Sequence, residues 1–168
     1  SQYPLEKVGE LGDALIYLGN NSATFESMIL AMGKDFASAA SNAGLLPEEI
    51  LALGAAMSSL GEDVEAGSTS ISKLMRGMSD AVALGGDELK EYSRIAGVDF
   101  KKAFQEDASK AIEKFLAGLD GIRRSAGTLT PTLENIGINN SILIRGVEKL
   151  AAGNAVVAKS FDMVSDKT

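Results

Sequence analysis

The sequence contains no cysteine, no histidine and no tryptophan, and only 5% of its 168 residues are aromatic. Without cysteine there are no disulfides, no thiolate metal sites and no thiol nucleophile; without histidine there is no imidazole ligand and no Ser-His-Asp triad. Carboxylate chemistry is what these absences leave. The missing cysteines fit an intracellular or assembly-stage protein, although many secreted proteins also lack disulfides. Long apolar runs are absent too. The longest uncharged one, Ile50 to Gly61, "ILALGAAMSSLG", has twelve residues, against the roughly 20 that span a bilayer. It reads as a buried helix rather than an anchor. No N-terminal signal pattern is visible, and the chain starts at Ser1 rather than Met, as expected of a piece cut from a longer protein.

Basic residues are scarce in one part. Residues 1–72 hold two of them, Lys7 and Lys34, against ten acidic ones, whereas the remainder is nearly balanced; the whole chain carries −7. Duplex DNA would be repelled by the first part and weakly drawn to the second, so direct nucleic-acid binding is not expected. The pairs Lys101/Lys102 and Arg123/Arg124 lack the interleaved aromatics on which bases stack.

What is present is a helix former's alphabet. Hydrophobic residues make up 45% of the chain, carried by Ala, Leu, Ile, Val and six Met, enough for a buried core. Apolar residues recur at steps of three and four. The stripes are Val8, Leu11, Leu15 and Leu18; Phe25, Met28, Ile29, Met32 and Phe36; Ile50, Leu53, Met57 and Leu60; and Ile71, Leu74, Met75, Met78 and Val82. Four shorter ones follow: Leu89, Tyr92 and Ile95; Ile112, Phe115, Leu116 and Leu119; Leu143, Val147 and Leu150; and Val157, Phe161 and Val164. Strict alternation appears only briefly, at Ile142 and Ile144 in "SILIRGV", where length still favours a helix. The expectation is an all-α, compact multi-helix bundle of about seven to nine short helices, folded as a single domain over 1–168.

The joints follow a rule. At Gly44 ("AGLLPEEIL"), Gly97 ("AGVDFKKAF") and Gly137 ("IGINNSILI") a helix-ending glycine precedes an apolar residue that packs back, and Asp99 or Asn139 is placed to cap the next helix. Pro47, with Glu48 and Glu49 behind it, suits a first helical turn. Glycine is abundant, 18 residues, and clusters with small neighbours in "LGAAMSSLG" (Leu53 to Gly61). Such a face lets helices approach closely, within the chain or between copies.

One stretch imitates a phosphate loop: "SLGEDVEAGSTSISKLM", residues 59 to 75. Its two glycines, Gly61 and Gly67, are five residues apart, Ser68 stands where the lysine belongs, the element before is helical, and Glu62, Asp63 and Glu65 would repel an anion. A calcium loop fails as well, on spacing and on the missing terminal Glu. The expectation is a helix-helix joint: Gly61 ends one helix, the acidic loop is solvated, and Ser68 or Thr69 caps the next. The carboxylate pairs Glu48/Glu49, Glu62/Asp63 and Glu106/Asp107 lie where helix starts and loops commonly carry acids. No catalytic residue, metal site or cofactor is expected. The informative positions are packing and turn residues: Leu53, Gly54, Met57, Leu60, Gly61, Gly67, Ser68, Ile71, Gly97 and Gly137.

Three blocks, "LGAAMSSLGEDVEAGSTSISKLMRGM" (Leu53 to Met78), "DELKEYSRIAGVDFKKAFQEDASKAIEKFLAGL" (Asp87 to Leu119) and "LENIGINNSILIRGVEKLAAGN" (Leu133 to Asn154), give the chain a resemblance to a family. In content and order they resemble the core region of tape measure proteins of tailed phages and prophages. The likeness runs from about residue 11 to 154; "DGIRRSAGTLTPT" (Asp120 to Thr132) stands outside it. The resemblance implies a helical module of a much longer chain that fills the tail tube in the virion, sets its length, and is assembled in the bacterial host cytoplasm. It further implies partners: copies of itself, tail-tube or tail-tip proteins, and assembly chaperones. Two other readings are a cell-wall hydrolase module, motivated by the acidic residues alone, and an unrelated helical protein-interaction adaptor.

Overall fold

The computed structural model describes residues 5–21 and 26–165. Within them the chain forms ten helices and no strand: α1 (Leu5–Asn21), α2 (Glu26–Asn42), α3 (Pro47–Ser59), α4 (Val64–Leu84), α5 (Gly86–Ala96), α6 (Phe100–Glu106), α7 (Ala108–Ala126), α8 (Thr130–Glu134), α9 (Ser141–Ala152) and α10 (Asn154–Ser165). The all-α expectation holds. The count rises to ten because α6 and α8, of seven and five residues, are too short to write a stripe of their own. "SILIRGV" lies in α9.

The apolar stripes face inward. Buried side chains from Ala14 to Val164 make one contiguous cluster, to which α1 contributes Ala14 and Leu18, with Leu11 and Leu15 packed at its edge. Met28 is the exception, 38% exposed. Phe25 and the side chain of Val8, assigned to stripes above, lie outside the described residues. Helix α3 sits at the centre, packed against α1, α2 and α10, while α4 packs against both α2 and α9. Residues Ile50 to Ser58 are buried without a break, the pattern of a helix enclosed on all sides. The apolar run is therefore core from Ile50 to Ser58, and no described helix is long and apolar enough to cross a membrane.

Hydrogen bonds sort the joints into two kinds. After Gly44, Gly61 and Gly137 the next residue donates its N–H five residues back: Leu45 to Ala40 O (3.1 Å), Glu62 to Met57 O (3.4 Å) and Ile138 to Leu133 O (2.9 Å). This is the Schellman closure, and Leu45 and Ile138 are buried beneath it. Gly97 closes α5 differently. In the left-handed conformation (φ 73°), it donates to Ser93 O at 2.8 Å, and Val98 stays half-buried.

Two caps differ from expectation. Asn140, not Asn139, caps α9, its Oδ1 accepting from the N–H groups of Ile142 (2.8 Å) and Leu143 (3.3 Å). Helix α4 begins at Val64, with Asp63 as its cap through Ala66 N at 2.8 Å; Ser68 and Thr69 are interior positions. Asp63 wins because the helix can run through Gly67 once that glycine is packed against another helix, so tertiary contact outweighs propensity. Asp99 caps α6 as expected, accepting from Lys102 N at 3.1 Å.

Candidate functional site

The packing positions named above converge on one residue of α2, Met32, which is fully buried. A Cβ at Gly54 would lie 3.0 Å from Ile29 O, 3.3 Å from Gly33 N and 3.5 Å from Met32 Cβ. The α2 and α3 backbones thus approach each other directly, with no side chain between them. On α4 a Cβ at Gly67 would come within 2.8 Å of Met57 Cγ and 3.1 Å of Met32 Sδ. Ser68 Oγ lies 3.4 Å from that sulfur and 3.5 Å from Met32 O. Three helices therefore meet over two methionine side chains, whose unbranched thioethers fill the irregular space that glycine leaves. Leu53, Met57 and Ile71 are buried in the same cluster.

Leu60 and Gly61 form the end of this site. The Leu60 side chain packs over Gly153, where α9 hands over to α10, and Gly61 (φ 85°) takes the left-handed turn that starts the path to α4. Gly97 and Gly137 are not part of the meeting point; they are remote turn residues at the ends of α5 and α8. The small-residue face of α3 is spent inside the chain, since Gly54, Ala55, Ala56 and Ser58 are all buried.

In the acidic joint Asp63 and Glu65 are exposed, as the solvated-loop expectation has it, and Glu62 is the departure. Glu62 has a side chain only 10% exposed and pairs with Lys149 of α9 at 3.0 Å, while Asp63 serves as the cap. The other carboxylate pairs are likewise engaged in local structure. Glu49 Oε1 accepts from Leu46 N at 2.9 Å ahead of α3, and Asp107 Oδ1 accepts from Ser109 Oγ (2.8 Å) and Lys110 N (3.2 Å) at the start of α7.

A second packing centre escaped the sequence reading. Tyr92, Phe100, Phe104 and Phe115 stack around α5, α6 and α7, with ring centroids 5.0 to 6.2 Å apart. Tyr92 Oη is buried against Gly77 without a hydrogen-bond partner, and burial pushes its phenol well above the usual range. Gly118 presses on the Ile95 carbonyl, and Gly146 on Ser70. Met32 was named beforehand only as a member of its helix stripe, and Gly33, Gly118 and Gly146 were not named at all; a glycine flanked by stripe residues on a helix was the available signal.

Wide, shallow grooves complete the surface, among them one of about 420 Å³ between the starts of α4 and α9, lined by Asp63, Glu65, Ala66, Thr69, Asn140, Ile142 and Leu143. Acids, the Thr69 hydroxyl and partly exposed apolar side chains share this groove.

Against known proteins, residues 1–163 match the family model described as phage-related minor tail protein. The chain belongs to that family. As a member it is a structural component of the phage tail. Comparison with curated proteins and with solved structures gives no match.

Proposed function

We propose that this phage minor tail protein is a helical module of a tape measure protein, one part of a much longer chain whose helical extent sets tail length. The observation that carries the reading is the family match over 1–163. It is supported by the block Leu53 to Met78, the stretch most like tape measure sequences, which supplies the second half of α3 and the first part of α4 at the Met32 meeting point. Leu53, Gly54, Met57, Leu60, Gly61, Gly67, Ser68 and Ile71 act there as packing residues, and Gly97 and Gly137 as turn residues, within one helical domain. The module lies in the lumen of the tail tube in the virion, after assembly in the host cytoplasm. Its partners are copies of itself, tail-tube or tail-tip proteins and assembly chaperones.

Glu49, Asp63 and Asp107 serve at helix starts and Glu62 in an ion pair, and no observation favours the hydrolase reading. In-frame deletions in the long helical part of the parent chain test the proposal. Tails should shorten by about 1.5 Å per residue removed, the rise of an α-helix. Tails of unchanged length by electron microscopy would defeat it.

A further inference from the structure

We propose that α1 of one copy docks on α7 of a second copy, in a head-to-tail contact that repeats along a row of copies. The proposal rests on the reading of the chain as a scaffold that packs against itself, and it names the two faces. Glycine within a helix weakens it and is ordinarily justified by close packing. Gly54, Gly67, Gly118 and Gly146 have such neighbours, whereas Gly9 and Gly12 of α1 and Gly121 of α7 have nothing within 4 Å.

The two helices carry matching outer lines. On α1 the exposed positions Gly9, Asp13, Ile16 and Asn20 follow steps of four, three and four; on α7 Lys110, Lys114, Ala117 and Gly121 are exposed at the same steps. Those are the steps at which two helices laid side by side bring residues into register, with Ile16 and Ala117 the apolar pair on them. Laid parallel in this register, Asp13 faces Lys114, and Ile16 enters the space that Ala117 and Gly121 leave open. Ile16 is 54% exposed, an apolar knob with no full cover in its own copy.

Charge selects the second copy as the occupant. Helix α1 holds three carboxylates and one lysine, and α7 holds four cations and two carboxylates. On α7, Arg123 and Arg124 are engaged by Asp120, at 2.7 and 3.3 Å, and Lys110 on the outer line stands 3.6 Å from Glu113 and 3.7 Å from Asp162, so Lys114 is the cation that this line leaves to offer. Because the two faces differ, each bound copy presents a new α1 or α7, and the contact propagates instead of closing as a two-fold dimer.

Sedimentation velocity of the chain over a concentration series tests this. The expected result is mass that grows past the dimer and falls as salt screens the pair. Asp13→Lys or Lys114→Glu alone should weaken association by about tenfold or more, and the double exchange should restore it. Both positions are exposed, and circular dichroism verifies that the fold is kept. Since the chain has no cysteine, Ile16→Cys mixed with Ala117→Cys should form a disulfide-linked heterodimer on oxidation. A chain that stays monomeric at every concentration, its two faces then being left for a different tail protein, overturns the proposal. Association indifferent to both charge reversals overturns it equally. Tails that shorten in proportion to deletions, alongside a strictly monomeric chain, would leave the tape measure reading standing and sink this contact alone.

Discussion

Helices α2, α3 and α4 meet through glycine and methionine; helices α5, α6 and α7 meet through four aromatic rings. In the first region the backbones come close and flexible thioethers adapt to what is left. In the second, rigid rings hold the helices apart at fixed angles, except where Gly118 of α7 presses on the Ile95 carbonyl of α5. The difference predicts where a substitution can be absorbed. A methionine can rotate away from an added atom, but a ring or a carbonyl cannot.

The largest effect should come from emptying the aromatic centre. Phe100 is fully buried and stacks on Tyr92 at 5.2 Å and on Phe104 at 5.3 Å, so Phe100→Ala should cost about 3–5 kcal/mol in urea unfolding. A loss under about 1 kcal/mol would mean that this region adapts as readily as the methionine one. The next contrast is between two glycines. At Gly118 an added methyl meets backbone, and Gly118→Ala should cost about 3 kcal/mol through forced displacement of α5. At Gly67 the same methyl meets Met57 and Met32 side chains; alanine's better helix propensity offsets the crowding, and the net change should stay within about 1 kcal/mol. Equal costs at the two glycines would break the comparison.

The same contrast explains how much the sequence reveals. Helix stripes and glycine joints depend on neighbours three to five residues away, so Ile71, Leu74 and Met78, or Gly44, Gly61 and Gly137, were legible. What was not legible depends on residues distant in the chain. Gly67 looked like the end of a loop because its partner, Met32, lies 35 residues earlier, and with Gly67 misread the cap was assigned to Ser68 or Thr69 instead of Asp63. Glu62 looked solvated because Lys149 lies 87 residues away. Asn139 and Asn140 are equivalent caps on paper, and only the observed start of α9 separates them. Leu53, Gly54, Met57, Gly67, Ser68 and Ile71 lie together where α2, α3 and α4 meet. Gly97 and Gly137 were grouped with them by residue type alone, and the fold sets them apart.

The smallest expected effect lies on α7 away from the rings, where it meets α10. Glu113 Oε2 is buried with no hydrogen-bond partner. Lys110 Nζ stands 3.6 Å from it and 3.7 Å from Asp162 Oδ1, so one lysine is shared between two carboxylates. Burial raises the Glu113 carboxyl above its ordinary value, Lys110 works against that, and Asp162 and Asp107 add to it. With the folded-state pKa above the unfolded one, protonation of Glu113 favours the native state. That contribution is complete below the unfolded carboxyl's range, about pH 4.3, and is lost as pH rises through the raised folded value. Glu113→Gln, which keeps the shape without the charge, should therefore stabilise the fold at neutral pH by about 1 kcal/mol, the low end for an unsatisfied buried acceptor. The gain should shrink as pH falls and vanish at about pH 3, where wild type is protonated in both states. Calorimetric melting of both proteins across this range is the measurement. A difference that stays constant with pH would assign the gain to packing and remove the carboxylate's charge from the account of how α7 meets α10.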